Sequence, residues 1–107
     1  MAEGDLGSGG GLLRANDAKL TVFALANGMD LARDRDERRL EWYNGGLERG
    51  IRVEPGPEGK LTIHVGAWPF GARERGAEAP YADDVAPEAL ARTLEAAIER
   101  ANALKLD

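Results

Sequence analysis

The sequence has no cysteine, one serine (Ser8) and one histidine (His64). Without cysteine, the chain has no disulfide, no thiolate metal site, no iron–sulfur cluster and no thiol nucleophile. Ser8 lies in a glycine-rich segment that we expect to be mobile, which disfavours a serine-nucleophile triad. A single histidine cannot build a histidine-rich metal site, and the carboxylates show no clustered pattern. We therefore expect no cofactor and no metal.

Long apolar runs are also missing. No stretch approaches the ~20 apolar residues of a membrane-spanning helix. The first residues are acidic and glycine-rich rather than basic, so a secretory signal is not expected. These features predict a cytoplasmic protein with no membrane partner.

The 107 residues carry 19 acidic and 14 basic side chains, which gives a formal net charge of −5. Such a chain repels phosphate backbones, so nucleic acid is disfavoured as a partner. Apolar residues make up 43% and charged residues 31%, as expected for a packed core with a charged surface. We expect a single α+β domain over residues 12–107, preceded by a flexible glycine-rich tail over residues 1–11.

The clearest pattern runs from Leu47 to Trp68 and predicts an antiparallel β-hairpin. Apolar side chains occupy alternate positions in two runs, which gives each strand one apolar face. The first run contains Leu47, Ile51 and Val53, and the second contains Leu61, Ile63, Val65 and Ala67. Two prolines and two glycines within residues 55–59 predict the connecting turn. Arg49 interrupts the first run and Gly50 follows it, which indicates a bulge or a later strand start.

Residues 87–106 are predicted to form an amphipathic helix that covers this hairpin. Pro87 suits the first helical turn, and the preceding Asp83 and Asp84 are expected to cap the helix. One apolar stripe comprises Leu90, Leu94, Ala97, Ile98, Ala101 and Leu104. The predicted fold class is α+β: a two-layer sandwich in which this C-terminal helix packs on one face of an antiparallel sheet of three or four strands.

Residues 18–26 (AKLTVFALA) are apolar on every side, so periodicity cannot decide between a strand and a helix. Their alternation and β-branched content favour a buried strand, which is our prediction. A helix is the alternative, because Asn16 is a good N-cap and Asn27-Gly28 is a good helix end.

Residues 30–43 are half charged and leave two interpretations open. A helix is supported by Asp34, which lies four residues before Arg38. In the alternative, residues 34–37 form a turn between two strands, and Asn44-Gly45 forms a type I′ turn into the next strand.

Residues 68–86 are predicted to form a long irregular loop, because Pro69, Gly71, Gly76 and Pro80 interrupt any regular element. The loop carries half of the aromatic residues of the chain and two arginines, which are the side chains that dominate protein-binding hot spots. The candidate partner-binding residues are Trp68, Phe70, Arg73, Arg75 and Tyr81. Under the alternative interpretation, the rings fold back and cap the open end of the hairpin.

The small number of potential catalytic side chains and the aromatic loop together predict a non-enzymatic interaction module: a small acidic adaptor, chaperone-like protein or inhibitor. Its partner would be another protein, or a second copy in a homodimer. One alternative is a small enzyme whose acid–base chemistry pairs His64 with a carboxylate. The alternation places the His64 side chain on the face opposite to that of Ile63 and Val65.

A weaker alternative is nucleic-acid binding through the arginine-rich segment 33–39. The four arginines of this segment alternate with acidic residues, which is more typical of a self-paired surface than of a phosphate-binding one. They are Arg33, Arg35, Arg38 and Arg39.

Overall fold

A five-stranded antiparallel sheet forms the centre of the protein. The computed structural model describes residues 9–106, and within them three helices pack on one face of the sheet. Strand order follows chain order, so each strand pairs with the next one along the chain. The strands are β1 (Asp30–Arg33), β2 (Arg38–Asn44), β3 (Leu47–Pro55), β4 (Leu61–Trp68) and β5 (Ala77–Val85), and the helices are α1 (Gly9–Ala15), α2 (Asp17–Ala26) and α3 (Leu90–Ala103).

The predicted hairpin is confirmed as β3 and β4. Ile51 pairs with Val65 and Val53 pairs with Ile63, so the apolar side chains of both strands share one face. These four side chains are at most 1% exposed, and burying each of them contributes roughly 1.5–3 kcal/mol. The predicted covering helix is also confirmed, because α3 packs on β3 and β4. Its buried residues are Leu90, Leu94, Ala97 and Ala101, all members of the predicted stripe.

The bulge predicted at Arg49 is wrong. The ladder between β3 and β4 runs unbroken through Arg49, which pairs with Ala67. The Arg49 side chain is buried on the helix-covered face. Its Nη1 donates to the carbonyl oxygens of Ala101 (2.7 Å) and Leu104 (2.8 Å), at the C-terminal end of α3. The last carbonyls of a helix have few backbone donors: Ala101 accepts the N–H of Leu104 at 3.2 Å, and Arg49 adds a charged donor at this helix end.

The sheet has five strands rather than the predicted three or four. Two of them come from residues 30–43, where the hairpin interpretation is correct and the helix is wrong. The turn into β3 lies one residue later than predicted, at Gly45 and Gly46, whose φ angles are +63° and +83°. Glycine adopts this left-handed backbone without the penalty of a Cβ, and a type I′ turn requires it at both central positions.

The other additional strand, β5, lies within the predicted irregular loop. Pro80 does not prevent it, because β5 is an edge strand and one of its sides needs no donor. The true connection is therefore confined to residues 69–76. The predicted capping role of Asp83 and Asp84 is wrong: both belong to β5, and α3 begins after the 3₁₀ turn Pro87–Ala89 without a side-chain cap.

The strand favoured for residues 18–26 is wrong, because this segment is helix α2. The predicted helix end agrees with the structure, because the backbone turns after α2 at Gly28 with a φ of +67°. Asn16 precedes α2 without capping it, since its side chain donates to the carbonyl oxygen of Leu12. α2 buries Leu20 and Phe23 against the sheet. Of the predicted tail, residues 1–8 lie outside the described residues, and residues 9–11 begin helix α1.

Candidate functional site

The candidate functional site is the sheet face opposite the described helices, which we call the open face. Alternate side chains of each strand point to it. It comprises Arg39, Glu41 and Tyr43 from β2, Glu48, Arg52 and Glu54 from β3, His64 and Trp68 from β4, and Glu78 from β5. Residues 69–76, the part of the predicted loop 68–86 that is not a strand, lie at one end of this face, where Arg73 contacts Glu41 and Trp68. The sequence-predicted site and the open face therefore meet at Trp68.

Trp68 forms a buried floor at this end of the open face. Its ring lies over Gly50: a Cβ at that position would come within 2.8 Å of Trp68 Cη2. Gly66 also borders the ring, but a Cβ there would meet Trp68 Cζ3 at an ordinary 3.4 Å. Trp68 Nε1 donates to Glu48 Oε1 at 2.7 Å, and the residue is only 6% exposed. Of the two interpretations of the loop aromatics, the one in which a ring folds back onto the hairpin describes Trp68. Its ring lies beneath the rest of the site.

Arg73 covers the outer side of this floor. Its guanidinium carbon lies 3.9 Å from the centroid of the Trp68 ring, which is a cation–π contact. Its Nη2 also donates to Glu41 Oε2 at 2.5 Å. The 3₁₀ turn Arg73–Arg75 is thereby fixed to two strands of the sheet, so the connection between β4 and β5 has a defined position.

Two exposed rings stand beside this floor. Phe70 is 75% exposed and Tyr43 is 62% exposed. Their centroids lie 6.4 Å apart in an edge-to-face arrangement, a favourable geometry for aromatic pairs. We call Tyr43 and Phe70 the aromatic tip. Tyr43 could not be identified as a site residue from sequence, because its position depends on the β2–β3 turn that brings it next to the loop.

The other predicted site residues divide between the two sides of the sheet. Phe70, Arg73 and Arg75 belong to the connection at the tip, and Arg75 is exposed. Tyr81 does not join them, because it packs against the helix-covered core. A register shift in the ladder between β4 and β5 lies beside it and alters the alternation that would otherwise decide its side.

The centre of the open face is a network of paired charges around Arg52. Arg52 Nη2 lies 2.7 Å from Glu78 Oε1, and its Nη1 contacts Glu54 and lies 3.8 Å from Glu37. The hydrogen bond to Glu78, opposed by partial burial, raises the pKa of Arg52 above its ordinary value. Because both the folded and unfolded values lie far above neutral pH, this stabilisation is fully present at neutral pH and is lost only in strong alkali.

His64 lies in the same network, on the predicted side of the sheet. Its Nε2 is 3.5 Å from Glu54 Oε1, and its side chain is 21% exposed. A cavity of about 10 Å³ lies beside Trp68 and Arg73, which is room for about one water molecule, and His64 does not line it. Among residues 9–106, no three carboxylate or histidine side chains cluster closely enough to hold a metal ion.

The arginine-rich segment does not form one surface. Arg38 is buried towards the helices and donates to Asp17 Oδ1 at 2.7 Å, whereas Arg39 lies on the open face beside Glu37 at 3.3 Å. Arg33 also lies near Asp17, at 3.8 Å. Arg33 and Arg38 are cross-strand partners on the helix-covered side and share Asp17. Arg39 points to the opposite face, so these three cations do not form one basic surface.

Both edges of the sheet are protected against pairing with another strand. β1 has only four residues, with Asp30 and Arg33 at its ends. β5 carries Pro80, two acidic residues near its end, and register shifts against β4. Short edge strands, proline, charge and bulges all disfavour strand addition. Strand addition at either edge of the sheet is therefore disfavoured.

Comparison with protein-family models, curated proteins and solved structures found no match. Within residues 9–106, every helix is too short or too polar to span a bilayer.

Proposed function

We propose that this protein is a non-enzymatic protein-binding module whose partner docks on the aromatic tip. The supporting observation is the contrast between Trp68, which is buried, and Phe70, which stands 75% exposed beside it. Large exposed rings next to an arginine are typical of binding hot spots. Because Trp68, Arg73 and Glu41 fix the connection that carries Phe70, little ordering would be needed on binding.

The charge of the chain favours a partner with a positive surface. The net charge is −5, and the open face contributes more carboxylates than cations. Long-range attraction raises the association rate of such a partner. The expected partner therefore presents an apolar side chain to the tip and basic side chains around it.

The direct test is affinity capture with the full chain as bait, comparing Phe70→Ser and Tyr43→Ser with the wild type. Trp68 is unsuitable for this test, because replacing a buried ring would disturb the sheet. Leu25→Ser is the matched control, since Leu25 is 76% exposed but lies on α2, in the layer on the other face of the sheet. We expect the captured proteins to be lost with both tip variants and retained with the control. Equal capture by all four chains would overturn the proposal.

An acid–base enzyme using His64 is the second candidate, and the 3.5 Å separation between His64 and Glu54 supports it. The geometry supports it less well, because Glu54 also pairs with Arg52, and the cavity beside Trp68 does not include His64. His64→Gln separates the two functions: it would abolish acid–base catalysis and leave binding at the aromatic tip intact.

A further inference from the structure

Helix α2 has an apolar side that no other element within residues 9–106 covers. Its inner side buries Leu20 and Phe23, while on its outer side Val22 is 66% exposed and Leu25 is 76% exposed. A helix that is apolar on every side is normally buried on every side. Because the sheet covers only the inner side of α2, the outer side has the composition of an interface.

This side forms one wall of a groove between α2 and α3, with a volume of about 510 Å³. Its apolar lining includes Ala18, Val22 and Ala26 from α2, and Ala91 from α3. The three α2 residues follow one another at intervals of four, so they form a single ridge along the helix. Small side chains at both ends of the ridge would allow another helix to approach closely.

The groove carries opposite charges at its two ends. Lys19 Nζ donates to the carbonyl oxygen of Pro87 at 2.8 Å, which places this cation beside the start of α3. Glu95 lines the groove about two helical turns further along α3. It is exposed and, among the described residues, forms no ion pair. The cation and the anion therefore lie at opposite ends of the same apolar surface.

We propose that the occupant of this groove is a second copy of the chain, related by a two-fold axis near Val22. Val22 lies four residues from Ala18 and four from Ala26, so antiparallel α2 helices would place Ala18 of each copy against Ala26 of the other. The same rotation brings Lys19 of each copy to the end that holds Glu95 of the other. A two-fold interface must be complementary to itself, and this groove meets that condition in both shape and charge.

The proposal implies a weak dimer. A stable interface buries about 800 Å² on each partner, more than one ten-residue helix side and its groove provide. Dimerisation should therefore depend on concentration. It does not depend on the partner-binding proposal, because it uses the helical layer and leaves the aromatic tip free.

Sedimentation velocity of the full chain, from about 1 µM to about 1 mM, tests this, since that range spans the affinities of weak complexes. The wild type should shift from the monomer mass to twice that mass as concentration rises. Val22→Glu, at the centre of the groove, should remain monomeric with an unchanged circular dichroism spectrum, because the replaced side chain is 66% exposed. A wild type that stays monomeric throughout overturns the proposal.

Charge reversal identifies the surface. Lys19→Glu or Glu95→Lys alone should weaken dimerisation about tenfold, because each change creates two like-charged contacts across the two-fold axis. The double variant should recover the wild-type dimer, which a general loss of stability could not produce. Glu58→Lys, which makes the same charge change in the β3–β4 turn, is the matched control and should dimerise normally. Failure of the double variant to recover would exclude this interface.

Discussion

Replacing Arg49 with methionine should destabilise the fold more than any other arginine substitution on β3. Methionine keeps an unbranched apolar stem of similar reach but cannot donate. It removes three hydrogen bonds: two from Nη1 to the carbonyls of Ala101 and Leu104, and one from Nε to the carbonyl of Asn44 at 2.9 Å. These bonds join the β2–β3 turn to the end of α3, so the change loosens the attachment of the final helix.

The expected loss follows from the burial of this group. Hydrogen bonds from a charged donor contribute roughly 1.5–3 kcal/mol each, or roughly 4–9 kcal/mol for three. Removing the guanidinium also removes its desolvation penalty, which offsets several kcal/mol. We expect a net loss of about 3 kcal/mol, which corresponds to a decrease in Tm of about 12–24 °C for a domain near this size.

Arg52→Met is the matched control on the same strand. Arg52 also binds through its guanidinium, but on the open face, where ion pairs contribute about 1 kcal/mol or less. Urea unfolding followed by circular dichroism measures both variants, and an unchanged m-value would show that unfolding exposes the same surface. The reasoning is refuted if Arg49→Met and Arg52→Met unfold at the same urea concentration.

Three further outcomes follow from individual contacts. Gly50→Ala should destabilise the fold by about 1–3 kcal/mol, because the added methyl group meets the indole ring of Trp68. In a Trp42→Phe background, the same change should shift the fluorescence spectrum of Trp68, and an unchanged spectrum would contradict this. Asp17→Asn should lower the free energy of unfolding by about 2 kcal/mol, because it leaves Arg38 buried without its carboxylate partner; urea unfolding measures it, and a neutral result would refute it. Phe70→Ser should change the free energy of unfolding by no more than about 0.5 kcal/mol, because the ring is in solvent; a larger loss would place Phe70 in the core.

The parts of the fold that could be predicted are those in which periodicity and burial agree. The hairpin of β3 and β4 alternates except at Arg49, and α3 has one apolar stripe, so each pattern predicts both the element and its inner face. Segment 18–26 is apolar on every side, and its pattern carries no such information. The only boundary signal that the structure uses is the turn at Gly28, because Asn16 precedes α2 without capping it.

Strand β5 and the residues of the site could not be predicted from the sequence, because both depend on tertiary structure. Pro80 argues against a strand unless the strand is known to lie at a sheet edge, and edge position is set by the order of all five strands. Trp68 and Phe70 lie two residues apart in sequence, yet one is buried and the other exposed. Trp68 is accommodated because Gly50, on the neighbouring strand, leaves room for its ring, whereas Phe70 lies beyond the end of β4. Tyr43 joins Phe70 only through the turn at Gly45 and Gly46.

Hydroxyl-radical footprinting of the full chain, read by mass spectrometry, tests most directly the claim that Trp68 is a sealed floor beneath an exposed aromatic tip. Radicals modify aromatic rings in proportion to their exposure to water, so all three rings are compared in one sample. We expect rapid modification of Phe70 and Tyr43 and strong protection of Trp68. Modification of Trp68 as fast as that of Phe70 would contradict the geometry of the open face and the binding surface proposed on it.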